Sequence, residues 1–144
     1  MSIAKIKKLN IADVMLTGDA IPTVGVRSIL IEALEAMNRA HLGIVCVIDG
    51  EARLMAVLTD GDIRRMLLKI QKPFSAFFGD DAIDHSVKDP ISVSPKMSLV
   101  DAVILMENKK IWDLPVVNED KKLVGLFHLH NAIKVILEED RPLI

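Results

Sequence analysis

The sequence predicts an α/β (α+β) protein built from two tandem repeats packed as a pseudo-two-fold pair, and three observations carry that prediction. The first is a repeat. Residues 53–67 hold an apolar run, a polar turn and a charged helix start, and residues 122–136 hold the same sequence of features in altered form. The offset is 69 residues and holds without a gap from Thr23 to Leu68, so that Val24 falls on Val93, Leu30 on Leu99, Met37 on Met106, Val47 on Val116 and Leu68 on Leu137. A repeat found only twice, with a period longer than most solenoid units, argues for two halves packed on each other. The second is a pair of unbroken apolar runs in each half, rich in Val and Ile, of the kind that forms strands buried on both faces. The third is helical spacing of apolar residues on either side of those runs.

In chain order, residues 10–15 read as a short helical turn closed near Gly18, and residues 21–24 as a short extended piece. Ser28 is placed to cap a helix carrying Glu32 in its first turn, with Leu30, Ala33, Leu34 and Met37 on the buried stripe and Gly43 as its end. Strands follow at 44–48 and 54–58, joined through Asp49-Gly50, a pair that favours a tight turn. From Asp62 the apolar residues Ile63, Met66, Leu67 and Ile70 return to helical spacing, and Pro73 stops that helix. The second copy predicts an extended piece at 91–93, a helix from Ser98, strands at 114–117 and 123–127, and a last helix from Asn131, with residues 138–142 as a solvated tail. Each half therefore reads β-α-β-β-α. The expected boundaries are 10–72 for the first repeat, 73–85 for a linker and 86–140 for the second repeat.

The composition narrows the function. Apolar residues make up 51% and charged ones 26%, which is globular rather than disordered. A net charge of −2, no Lys/Arg-rich block, no Tyr and one Trp leave neither an electrostatic footprint nor a stacking platform for nucleic acid. The single Cys46, inside an apolar run, reads as a small core residue. No apolar run approaches the length that spans a bilayer, and the basic N-terminus lacks the apolar stretch of a signal peptide, so the expectation is a cytoplasmic protein without a membrane partner.

The strand that runs directly into Thr59-Asp60-Gly61-Asp62 and a helix, taken with the repeat, resembles the CBS domain, and two copies in tandem resemble the CBS pair called a Bateman module. In that family a strand of the form Gly-apolar-apolar-Thr/Ser-x-x-Asp opens the last helix. Ala56-Val-Leu-Thr-Asp-Gly-Asp62 matches with Ala for Gly, whereas Gly125-Leu-Phe-His-Leu-His-Asn131 keeps the Gly and has His for Thr and Asn for Asp. Three stretches, Val14-Met-Leu-Thr-Gly-Asp19, Leu58-Thr-Asp-Gly-Asp-Ile-Arg-Arg65 and Leu126-Phe-His-Leu-His-Asn131, are similar to the C-terminal CBS pair of the arabinose-5-phosphate isomerases of Kdo and capsule synthesis. Those enzymes hold their chemistry in an N-terminal sugar isomerase domain that this sequence lacks. A CBS pair attached to sugar nucleotidyltransferases also uses Thr-Asp-Gly-Asp-Ile-Arg-Arg, so that parentage stays open. The resemblance implies ligand sensing without catalysis, with the isomerase domain supplied in cis or in trans.

A strand end that opens a helix brings backbone N–H groups, a hydroxyl and a carboxylate to one spot where the helix N-terminus favours an anion. Asp62 is the candidate acceptor for both ribose hydroxyls, Thr59 for phosphate or sugar, and Arg64 or Arg65 for phosphate. His128, His130 and Asn131 take the corresponding places in the second half, and the resemblance implies that Thr23 and Ser92 complete the two clefts. Three plainer readings stand beside these: Asp62 as a helix cap, one of the two arginines as a solvated face, and His41 and His85 as surface or turn residues. Two alternating His residues without Cys or a third His do not make a metal site. No nucleophile stands beside a base, so an enzyme is disfavoured. The expected ligands are CMP or CMP-Kdo, then AMP or ATP, with no cofactor required. The Asp62 site is expected to be the stronger ribose binder, because an ionised acceptor makes stronger bonds than the amide of Asn131. A structural dimerisation module, a homodimer of CBS pairs without ligand, is the alternative.

Overall fold

A computed structural model describes residues 2–139. The elements in order are α1 (Ile3–Ile6), β1 (Thr23–Gly25), α2 (Leu30–Ala40), β2 (Ile44–Ile48), β3 (Leu54–Thr59), α3 (Asp60–Lys69), α4 (Phe74–Phe77), β4 (Val87–Lys88), α5 (Leu99–Lys109), β5 (Asp113–Val117), β6 (Leu123–His128) and α6 (Leu129–Glu139), with short 3-10 turns at Ile11–Asp13, Gly18–Ala20 and Ala82–His85. The solvated tail expected at 138–142 falls on side chains and residues outside those described.

The compact units do not coincide with the two sequence repeats. Among the described residues, one unit comprises 19–90 with 121–123, and the other comprises 2–18, 91–120 and 124–139. In the first unit the sheet order is β1-β2-β3-β4. β1 lies parallel to β2 with Thr23 opposite Cys46, β3 runs antiparallel to β2, and β4 pairs antiparallel with β3 through Val57 and Val87. The stretch expected as a linker, 73–85, is therefore structured: it supplies α4 and the turn at Ala82–His85, and the fourth strand follows it at Val87–Lys88, within the stretch expected as the second repeat. Its core joins Leu30, Ala33, Met37, Val45, Leu58 and Met66 of the repeat to Phe77 and Ala82 of that stretch.

The second unit repeats the plan with a different donor. β5 and β6 pair, and single bridges stand where β4 and β1 stand in the first unit: Leu16 with Leu126, antiparallel, and Val93 with Val116, parallel. Leu16 and Leu126 exchange both backbone bonds, at 2.9 and 3.0 Å. The N-terminal turn, grouped with the first repeat by sequence order, packs here: Ile11 and Val14 join Leu99, Ala102, Met106, Leu114, Val116 and Phe127 in one core. The strand expected at 91–93 is reduced to one bridge for a reason visible in the chemistry. In the first unit Cys46 donates its N–H to Pro22 C=O at 2.9 Å. The matching residue, Pro115, has no N–H to give Ile91.

Several element ends differ from expectation. α2 begins after Ile29, whose N–H is held by the Glu32 carboxylate at 3.0 Å, and Ser28 Oγ instead accepts from Gly25 N–H at 3.1 Å. The helix closes on His41, left-handed at φ 55, with Leu42 N–H returned to Met37 C=O, so Gly43 is not the cap. Lys110 closes α5 in the same way at φ 56. Hydrogen bonds back into the helix hold a side-chain-bearing residue where glycine is usual. In the β2–β3 turn the left-handed residue is Ala52, not Gly50, because the Asp49 carboxylate accepts the N–H groups of Glu51 and Arg53, both at 2.9 Å, and fixes a longer loop. Those bonds, the Arg53 backbone one first, hold the Asp49 carboxyl below its ordinary value. Among the described residues no helix is long and apolar enough to cross a membrane.

Candidate functional site

The strand-to-helix junction forms without a loop in both units: β3 ends at Thr59 and α3 starts at Asp60, β6 ends at His128 and α6 starts at Leu129. Both helices thus begin two residues earlier than the apolar spacing indicates. The physical cause in the first unit is a capping box. Thr59 Oγ1 accepts from Asp62 N–H at 3.3 Å, while Asp62 Oδ2 accepts from Thr59 N–H and Thr59 Oγ1–H, both at 2.9 Å. Asp60 N–H is also taken, by Gly43 C=O at 3.0 Å. Two of the opening donors are thereby satisfied within the protein.

Asp62 is 8% exposed, a buried charged residue among core side chains. Its second oxygen, Oδ1, accepts from Arg65 Nη2 at 2.7 Å. The guanidinium lies back over the helix start, where a Cβ at Gly61 would meet Nη1 and Nη2 at 3.1 Å each. Gly61 is what leaves room for it. Arg64, one residue earlier, is exposed. Thr23 and Thr59 are both at the end of the sheet where β2 begins, flanking that strand, and Thr23 is exposed. Asp60 turns to a different place. A Cβ at Gly43 would meet its carboxylate at 2.5 Å, and a surface depression of about 400 Å³ beside it is lined by Leu34, Met37, His41 and Leu42 as well, with no contribution from Thr59 or Asp62.

In the second unit the same junction is built differently. His128 stands at the position of Thr59, and its Nδ1 lies 2.7 Å from Asp113 Oδ1; both side chains are mostly buried. His130 packs edge-on against His128 with ring centroids 5.0 Å apart. Asn131, in the place of Asp62, donates to Val14 C=O at 3.3 Å, a contact with the N-terminal segment. Ser92 is exposed beside the Val93 bridge. Asp113 was not among the expected residues. Its signal was available: the repeat places it on Ile44, and Ile44 pairs with Thr59 across β2–β3, so an apolar-to-acid exchange and a Thr-to-His exchange fall on partners in one hairpin. His85, expected as an ordinary surface or turn residue, is a turn residue but a mostly buried one, with Nε2 2.7 Å from Asp80 Oδ2 and its ring edge-on to Phe77. Among the described residues no group of three or more His, Cys, Asp or Glu is arranged to hold a metal ion.

The CBS domain family model matches residues 11–69 and 82–138, most of the chain. The chain belongs to the CBS domain family. As a CBS pair it is a regulatory module rather than a catalytic domain. It is similar to the arabinose 5-phosphate isomerase KdsD of Yersinia pestis, at 34% identity over 88% of this chain and 37% of the relative. The isomerase GutQ of Salmonella typhi is 32% identical over 85% of this chain and 36% of the relative. The chain thus spans little more than a third of the length of these relatives. Among solved structures, CBSX2 in complex with AMP superposes with a TM-score of 0.79 at 27% identity, covering 92% of this chain and 99% of that one. The departures of the second copy from the family motif, His128 and Asn131, are the residues that recruit Asp113 and Val14.

Proposed function

We propose that this CBS pair senses a nucleotide or a nucleotide-activated sugar and has no chemistry of its own. The observation that carries the reading is the buried carboxylate of Asp62, set beside the Thr59 hydroxyl at a strand-to-helix junction. An ionised, nearly buried acceptor beside a hydroxyl suits a ribose diol, and the arginines next to it suit a phosphate. The AMP complex of CBSX2 supports an adenosine nucleotide, and the likeness to arabinose 5-phosphate isomerases favours a cytidine compound, CMP or CMP-Kdo. In this reading Thr23, Thr59, Asp62 and Arg65 form the stronger site, and Ser92, His128, His130 and Asn131 form a weaker one. The controlled partner is a sugar isomerase domain, in cis or in trans.

A thermal-shift and calorimetric panel of CMP, CMP-Kdo, AMP, ATP and S-adenosylmethionine tests it. A ligand at about a hundred times its dissociation constant stabilises the fold by roughly 2.7 kcal/mol, which raises the melting temperature by several degrees. A flat response to every compound refutes the reading.

A second, compatible reading is self-association. Leu68 on α3 and Leu137 on α6, equivalent positions in the repeat, are 79% and 64% exposed, and Ile104 on α5 is 52% exposed. Apolar side chains recurring at matched helix positions suit burial against a second copy. Sedimentation that finds a monomer at every concentration refutes it.

A further inference from the structure

Asp62 presents a counting problem that bears on which ligands enter. An ionised carboxylate offers about four acceptor sites. Three are filled within the protein: Oδ2 accepts from Thr59 N–H and Oγ1–H, and Oδ1 accepts from Arg65 Nη2. A ribose diol that donates both hydroxyls to this carboxylate needs two sites and finds about one. The capping box is the costlier bond set to break, since it closes the helix start and involves a backbone donor. The Arg65 bond is the one that opens. The Arg65 side chain is 52% exposed while that of Asp62 is 7% exposed, so the guanidinium moves into solvent without unpacking the core.

We infer that Arg65 is a gate on Asp62 that makes the site select phosphorylated nucleosides over bare ones. It rests on the ribose-binding role proposed for Asp62. A nucleoside must displace the guanidinium from the carboxylate and leave it to water. A nucleotide offers the guanidinium a phosphate in exchange, through the same planar fork of donors, while its ribose takes the vacated Oδ1. Gly61 is the second component of the device, because the absence of a Cβ lets the guanidinium lie over the helix start. Arg65 is thereby a specificity-determining residue, and its pairing with Asp62 is the closed position. The second unit has no counterpart, since the residue matching Arg65 is Lys134 and the residue matching Asp62 is Asn131.

Calorimetry on the full chain with four probes, AMP against adenosine and CMP against cytidine, tests the gate. Arg65→Ala is expected to tighten nucleoside binding and weaken nucleotide binding, each by about fivefold, the range of a half-exposed ion pair. The preference of the wild-type chain for the phosphorylated member of each pair collapses. Gly61→Ala, which crowds the guanidinium and keeps its charge, is expected to tighten nucleoside binding without weakening nucleotide binding. A nucleotide-to-nucleoside ratio unchanged by Arg65→Ala overturns the gate. Asp62→Ala separates that failure from failure of the ribose site: a nucleotide that binds Asp62→Ala as tightly as wild type overturns both, whereas binding lost in Asp62→Ala with an unaltered ratio in Arg65→Ala overturns the gate alone.

Discussion

The starts of α3 and α6 occupy equivalent places in the repeat and solve one problem in two ways. In α3 the acid that satisfies the junction comes from the helix itself, as Asp62 three residues beyond its cap, and Arg65 neutralises it from the next turn. In α6 the acid comes from the neighbouring strand, as Asp113 on His128, and the third helical position holds an amide that faces Val14. A helix-borne acid rests at the junction beside its hydroxyl, held by an arginine whose side chain is half exposed. A strand-borne acid is committed to the histidine. One scaffold thus carries a junction whose acid is paired within its own helix and one whose acid is paired across its hairpin.

The largest test removes the two third-position residues separately. Asp62→Ala keeps the backbone bond of residue 62 to Thr59 Oγ1 but removes the carboxylate that accepts from Thr59 N–H, Thr59 Oγ1–H and Arg65 Nη2, and a loss of about 2–3 kcal/mol is expected in urea unfolding of the full chain. Asn131→Ala removes one bond and is expected to cost about 1 kcal/mol. Equal losses break the comparison. Next in size is an exchange. Asp113→Ile installs the residue of the first unit and is expected to cost about 1–2 kcal/mol, because mostly buried His128 loses its partner. Adding His128→Thr imports the complete first-unit pair and should recover most of that loss. A double-mutant cycle with no coupling would show that Asp113 and His128 act independently.

A smaller effect checks that the scaffold itself is matched. His41→Gly and Lys110→Gly relieve the same left-handed strain, and each should stabilise by about 0.5–1 kcal/mol. A gain at one site only would mean that the two helix ends differ in ways their dihedrals do not record. The smallest concerns the segments that close each unit. Leu30 N–H is held by Asp80 C=O at 2.8 Å and Leu99 N–H by Leu9 C=O at 3.0 Å, so an acid stands where the other unit has an apolar residue. Hydrogen bonding to His85, then to Lys72, holds the Asp80 carboxyl below its ordinary value. A lowered carboxyl contributes stability that is present above its unfolded value, about 3.9, and is lost as pH falls through the lower folded one. Asp80→Asn should therefore flatten the acid end of the stability profile below about pH 4, by a modest amount for surface charges. An unchanged acid limb sinks that assignment.

Much of the site was legible because the repeat aligns it. Thr59 and Asp62 were legible as a junction from the polar pair that ends an apolar run, and the same register located His128 and Asn131. The capping box was also foreseeable, since Thr-x-x-Asp is its signature. The engagement of Arg65 was not, because arginines two and three positions past the acid look alike in a string and only helix geometry puts the second over Gly61. The departures from the motif make sense in pairs. Gly125 lies against Met15, whose thioether a Cβ would strike, while Ala56 is tolerated in a unit whose closing segment comes from elsewhere in the chain.

The order of letters by itself determined the two β-α-β-β-α cores, because burial patterns are periodic and each copy repeats the other's apolar positions. It also determined the weak edge at 91–93, since Pro115 has no hydrogen to donate. Which upstream segment completes which unit was decided only by tertiary packing. Residues 11–15 and 82–85 are both short turns with modest apolar content, and local propensity does not say whether Ile11 joins Leu99 or Leu30. That choice depends on contacts far apart in sequence, as does the pairing of Asp113 with His128, and neither is encoded in any window of neighbouring residues.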